Sequence, residues 1–284
     1  MDFTGIIGLI AGVGLIYFGI VDGGSINGFI DKASMAITFG GTIASTLIAF
    51  PVSSFKRIPS QIKITLHKNQ YHPREYISTI VDFAQEARKR GLLSLEEKAN
   101  GLQDPFLKRS ILLVVDAISP EKVKEMLDNE LDCMEERHAQ GWQFYEKSAT
   151  FAPAFGMIGT LIGLINMLAN LDMSSDAGTN LLAHGMSVAL ITTFYGSLLA
   201  NLLLIPIGNK LHMRHNEEML CKEIAVEGVI AIQAGENPRH IEDRLNAFLT
   251  ERERTSGKAE HPEGRAESGG TPPPQTDRKT GKGK

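Results

Sequence analysis

Four long stretches of this 284-residue chain contain no Asp, Glu, Lys or Arg: Phe3–Val21, Ala33–Phe55, Ser148–Leu171 and Ala177–Asn209. A helix needs about 20 apolar residues to cross a bilayer, so the missing charge predicts four membrane spans in two pairs. The first stretch has neither a basic leader nor a small-residue cleavage site, which points to a retained helix rather than a signal peptide. Cysteine is scarce as well. Cys133 and Cys221 both fall in charged segments without His ligands at suitable spacing, which excludes a zinc site and, in a reducing compartment, a structural disulfide. The chain lacks a P-loop, a G-x-G-x-x-G after a strand, an H-E-x-x-H and a G-x-S-x-G. No enzyme chemistry and no cofactor are therefore expected. His212 and His215 lie three apart but have no acidic or thiol co-ligand nearby, so no metal site is expected. No basic arm with interleaved aromatics is present, so no nucleic-acid partner is expected.

What is present is distributed unevenly. Of the 29 Lys and Arg residues, all but Lys32 lie in 56–147 or 210–284. Basic residues favour the cytoplasmic side of a membrane, so both segments are predicted to be cytoplasmic, with the two short links outside. Within 56–147 the apolar residues Ile77, Ile80, Val81, Ala84 and Ala87 recur at helical spacing. Gly91 marks a break, Asp104-Pro105 opens another helix, and Ser119-Pro120-Glu121 reads as cap, first turn and acidic follower. That last helix can run through Glu146 toward the third span, and Lys210–Gln233 continues the fourth. Asn237-Pro238 is a turn. The Gly-, Pro- and charge-rich tail from Thr255 cannot bury a core and is expected to be disordered. The expected fold is an all-α integral membrane protein with four transmembrane helices and a helical cytoplasmic domain inserted between helices 2 and 3. Its segments are 1–55, 56–147, 148–209, 210–254 and 255–284.

The third span is more than an anchor. Pro153, Gly156, Thr160, Gly163 and Met167 share one helical face, and Gly159 with Gly163 forms a second small pair. Gly185, Ala189, Thr192 and Gly196 share a face of the fourth span, with Thr193 beside it and Pro206 beyond. Spans one and two read as outer, lipid-facing helices packed on this inner pair. Two readings of the threonines stand side by side. Each hydroxyl bonds the carbonyl four residues back, or together they line an ion path with the carbonyl that Pro153 frees. No carboxylate lies in any span, yet ion coupling ordinarily needs an ionisable group there. A chain that handles ions in this way must borrow a carboxylate from another subunit. The cluster Arg88-Lys89-Arg90 followed by Glu96-Glu97 likewise has two readings, a solvated helix end or a bipolar docking patch.

PAFGMIGTLIGL (Pro153–Leu164) and SVALITTFYGSLLANLLLIPI (Ser187–Ile207) resemble the signatures of flagellar motor stator A subunits, the MotA/PomA family. The resemblance extends to DGGSI at Asp22–Ile26, ERHAQG at Glu136–Gly141 and AIQAGENPR at Ala231–Arg239, and covers about residues 1–250. It implies a multi-pass protein of the bacterial inner membrane, a pentameric ring around a MotB/PomB-type one-span B subunit whose membrane Asp is the borrowed carboxylate, and torque delivered to the rotor switch protein FliG. By motif, Arg88 and Glu96 match the family's rotor-facing charges, with Lys89 and Glu97 as neighbours. Pro153 and Pro206 match its two important prolines. Thr160, Thr192 and Thr193 match threonines of the sodium-type path. The transported cation is then Na⁺ or H⁺, with Na⁺ favoured because hydroxyls suit a partly dehydrated ion. The alternative is an energiser of the ExbB/TolQ type. A third class, a stand-alone channel or scaffold, fits the carboxylate-free but polar spans less well.

Overall fold

The computed structural model describes residues 3–24, 26–67, 71–169, 176–251 and 254. The link 172–175, Ser25 of the DGGSI motif and the tail from Thr255 lie outside the described residues. Among those described, the ordered elements are all helical. The chain divides into Met1–Phe248 and a short second unit from Leu249, in which the Arg254 amide donates to the Thr250 carbonyl at 3.0 Å.

Helix α1 (Phe3–Gly23) carries no charge until Asp22, and its large side chains Ile7, Ile10, Leu15, Tyr17 and Phe18 are exposed. Helix α2 (residues 32–49) starts at Asp31, whose carboxylate caps it by accepting from the Ser34 amide and hydroxyl at 2.7 and 2.6 Å. It includes a π-helical turn at Ala36–Gly40 and stops at Ala49. The uncharged run to Phe55 is thus not one helix. Pro51 forces the residue before it out of the helical region, and Phe50 is extended at φ −131° and ψ 145°. Helix α3 (Val52–Leu66) sets off at 113° to the segment before the break.

The cytoplasmic lobe contains α4 (Pro73–Arg90), α5 (Leu95–Asn100) and α6 (Pro105–Val115). The Asp104 cap accepts from the Phe106 and Leu107 amides, which is why α6 begins at Pro105. Ile80, Phe83, Leu95, Ile111 and Val114 are all but fully buried, as are Val123 and Leu127 of α7 (Pro120–Ala169) and Ile224 and Val229 of α8 (residues 176–233). Each such side chain contributes roughly 1.5–3 kcal/mol on leaving water.

The two longest described elements are rods. Helix α7 runs 50 residues without interruption, about 75 Å at 1.5 Å per residue. Helix α8 joins Asp176–Leu198, a π-helical turn Leu199–Leu204 and Ile205–Gln233 end to end. Both therefore unite a membrane segment with a cytoplasmic one, as the periodicity predicts. A last helix, α9 (Pro238–Leu245), is capped by Asn237 and buries Ile241 and Leu245. Among the described residues, three helices are long and apolar enough to cross a membrane, in Thr4–Gly23, Pro120–Ala169 and Thr179–Gln233; a fourth is present if the bent pair Ile26–Ala49 and Val52–Leu66 is one span.

Candidate functional site

Small residues bring α7 and α8 together almost backbone to backbone. A Cβ placed on Gly163 would stand 2.6 Å from the Gly185 carbonyl oxygen, and one on Gly196 would stand 2.6 Å from the Ala152 carbonyl oxygen. A Cβ on Gly156 would lie 3.0 Å from the Thr192 carbonyl oxygen, and one on Gly159 would lie 2.4 Å from Thr192 Cγ2. All four glycines predicted for helix packing are at this contact. Phe155 does the same work toward α2, its ring filling the space where Gly41 lacks a side chain.

The three threonines do not share one environment. Thr192 is fully buried between the rods, and its hydroxyl donates to the Val188 carbonyl at 2.9 Å. It packs rather than lines an open face, because Gly159 accepts its side chain. Thr160 and Thr193 are paired at the edge of the contact, 2.6 Å apart between hydroxyl oxygens. Thr160 also reaches the Gly156 and Ala189 carbonyls at 3.0 and 3.1 Å, and Thr193 reaches Ala189 at 3.2 Å. Each threonine thus bonds the carbonyl four residues back, and the Thr160–Thr193 pair additionally presents oxygens on an open surface. Thr193 is exposed and Thr160 half-buried, as is Pro153; Pro206 and Asn201 are exposed. The arrangement offers neutral oxygen ligands to a cation but no negative charge to hold it.

A second polar column escaped the sequence reading. Ser34, Thr38, Thr42 and Thr46 are buried on one face of α2. Thr42 and Thr46 each donate four residues back, at 2.6 and 2.7 Å, and Thr46 meets Ser148 at 3.2 Å. Helix α2 is therefore packed on the inner pair through hydroxyls, not simply lipid-facing; the spacing of four was the available signal. Another unexpected juxtaposition is His138 with His215, whose Nδ1 atoms are 3.1 Å apart beside Trp142.

Arg88 and Lys89 end α4, and Glu96 and Glu97 open α5; all four are exposed and none has an ion-pair partner among the described residues. Basic residues at a helix C-terminus and acidic ones at an N-terminus also complement the helix dipoles. Neighbouring Arg90 is different, paired with Glu86 at 3.1 Å. Gly91 joins the two helices at φ 83° and ψ 167°, a region that only glycine adopts readily. Beside it a groove of about 170 Å³ is lined by Ala84, Arg88, Leu92, Ile232 and Gly235.

Comparison with known proteins places these features. Residues 98–224 match the MotA/TolQ/ExbB proton channel family. Motility protein A of Treponema phagedenis is 38% identical, over 92% of this chain and 98% of its own length. Chemotaxis protein PomA of Vibrio alginolyticus is 37% identical, over 89% of this chain and 98% of its own. The flagellar MotAB stator complex from Bacillus subtilis contains a chain that superposes with a TM-score of 0.81 at 31% identity, covering 90% of this chain and 99% of that one.

Proposed function

The chain belongs to the MotA/PomA family of flagellar stator A subunits, and from that premise we propose how it works. It is the A subunit of a flagellar motor stator, a multi-pass membrane protein that acts with a B subunit in an ion-conducting assembly. It crosses the inner membrane four times, with the lobe of α4 to α6 in the cytoplasm. Five copies surround the B subunit's membrane helices. A cation steps between the B-subunit aspartate and the open Thr160–Thr193 face, and the ring turns as the charge is bound and released. The exposed Arg88, Lys89, Glu96 and Glu97 then engage FliG, with charge orienting the encounter. Na⁺ is the favoured ion and H⁺ the other choice. The prolines Pro153 and Pro206 loosen hydrogen bonding in the rods along this path.

One observation carries the mechanism. The inner rods leave a hydroxyl pair on an open face, in spans whose sequence contains no carboxylate. An energiser of the ExbB/TolQ type is not favoured, because near-full-length relatives include Motility protein A and PomA. Deleting the gene in its host tests the reading. Filamented but immobile cells that swim again when the gene is restored are expected; unimpaired swimming with no second stator present would refute it. Reversing Arg88 to Glu should lower torque while ion flux persists, and loss of flux would make the patch structural.

A further inference from the structure

Asp104 is a junction of three helices. Its carboxylate accepts from the Phe106 and Leu107 amides of α6, from Lys222 Nζ of α8 at 2.9 and 2.7 Å, and from the Tyr76 hydroxyl of α4. Lys222 is only 3% exposed and is roofed by the rings of Phe106, Tyr71 and Tyr76 at 5.2, 5.2 and 5.8 Å. Tyr71 in turn donates to Glu218 on α8 at 2.7 Å. Burial works against the Asp104 carboxylate, but the Lys222 and Tyr76 hydrogen bonds outweigh it and keep the group below its ordinary range.

A buried ion pair is a poor way to gain stability, since well-packed apolar residues of similar volume often serve as well or better. What it supplies is directionality. Apart from the Tyr71–Glu218 bond and a Gln233 side-chain bond to the Ile118 carbonyl, the rest of the contact between α8 and the lobe is largely apolar, with Ile80 lying where Gly228 lacks a Cβ and Ile224, Val229 and Ile232 buried. Such a surface tolerates sliding by one ridge. The carboxylate with four donors does not, because a shift would orphan buried charge. The partners it joins are also the ones that matter: the last turn of α4 carries Arg88 and Lys89, while α8 carries Thr192 and Thr193 in its uncharged segment.

We propose that Lys222 is a positioning residue that fixes the register of the rotor-facing lobe on the α8 rod, so that movement in the membrane reaches Arg88 and Glu96 without slip. The inference rests on the stator reading above. It makes Lys222 necessary for torque but not for ion passage.

The test compares the full chain, expressed with its B subunit, as wild type, Lys222→Met with Asp104→Asn, and Lys222→Arg. Asn at 104 keeps an oxygen for the α6 cap. Three quantities are read: A and B subunits recovered together from membranes, ion flux through the complex, and stall torque per stator on a tethered bead. In the Met/Asn pair, recovery and flux should stay within twofold of wild type while torque falls by at least half. Lys222→Arg keeps the charge, so it should recover and conduct normally and lose less torque. Wild-type torque in both variants overturns the proposal, as does equal loss of flux and torque in Lys222→Arg. If the Met/Asn pair is not recovered from membranes, Lys222→Arg alone decides: normal flux with lowered torque supports the proposal, and wild-type torque overturns it. A wild-type complex that conducts and binds its partner yet never turns a bead refutes the stator reading instead.

Discussion

Gly163 gives the sharpest test of how the inner rods are held. A Cβ there would lie 2.6 Å from the Gly185 carbonyl oxygen, 2.8 Å from the Ala189 amide and 2.9 Å from Ala189 Cβ. Two of these three atoms are backbone, so no rotamer change relieves the clash. The rods must part by several tenths of an ångström or more, and overpacking of this kind costs about 1–3 kcal/mol. Against this, Gly→Ala gains up to about 1 kcal/mol of helix propensity. With the clash this close, the upper half of the range applies, leaving Gly163→Ala destabilised by ~1–2 kcal/mol, a factor of roughly 5–30 in the folded-to-unfolded ratio. Gly208→Ala is the internal control. Its nearest obstacle, Tyr145 Cβ, stands at 3.4 Å, an ordinary contact. Detergent-solubilised variants would be unfolded thermally and by denaturant. The expected order is wild type level with or below Gly208→Ala, and Gly163→Ala clearly lower, with motility falling in step. Equal stability of the two variants would refute the backbone-contact reasoning.

Thr160→Ala should leave membrane assembly intact but reduce swimming at limiting sodium; a sodium titration of speed with an unchanged midpoint would count against the hydroxyl path. Gly91→Ala places a Cβ at φ 83° and ψ 167°, which costs about 1–3 kcal/mol; lowered thermal stability and lowered stall torque are expected, and a silent substitution would mean the turn is not needed in that form. Asp104 is held below its ordinary value of 3.8 in the folded chain, so its contribution to stability is full above that value and is lost as pH falls through the lower, folded value. Asp104→Asn should therefore flatten the acid limb of stability against pH, measured by thermal unfolding between neutral pH and pH 3, while parallel curves would contradict the assignment.

Much of this was readable from periodicity and charge. The helical spacing through Glu146 and Gln233 foretold that both inner spans continue into the cytoplasm, because a 3.6-residue repeat survives the change from lipid to water. Asp104 and Pro120 announced their helix starts chemically, whereas Asn237, read as part of a turn, is the cap of α9. The glycine faces were legible because only small residues permit such approach. Other features were not. Thr192 lies on the small-residue face and Thr193 about 100° round the helix from it, yet the pattern did not separate a packing threonine from one at the open edge. The hydropathy of Ala33–Phe55 hid the elbow at Pro51, a backbone event inside an apolar run. Lys222 and Asp104 are 118 residues apart; no local pattern pairs them. The threonine column of α2 was visible in its spacing of four, but hydroxyls that bond their own helix suit lipid as well as protein, so the spacing signalled a face without naming what covers it.

The length of α7 has a mechanical meaning. A single helix reaches from Thr160, one half of the hydroxyl pair, to Val123 in the core of the lobe, without a loop between them. A gear train with play in it wastes part of each step taking up the slack. Each ion that passes in such a machine does partial work or none. An unbroken rod has no backlash of that kind, so the fraction of each ion's energy delivered to the rotor is set at the two ends of the helix and not along it.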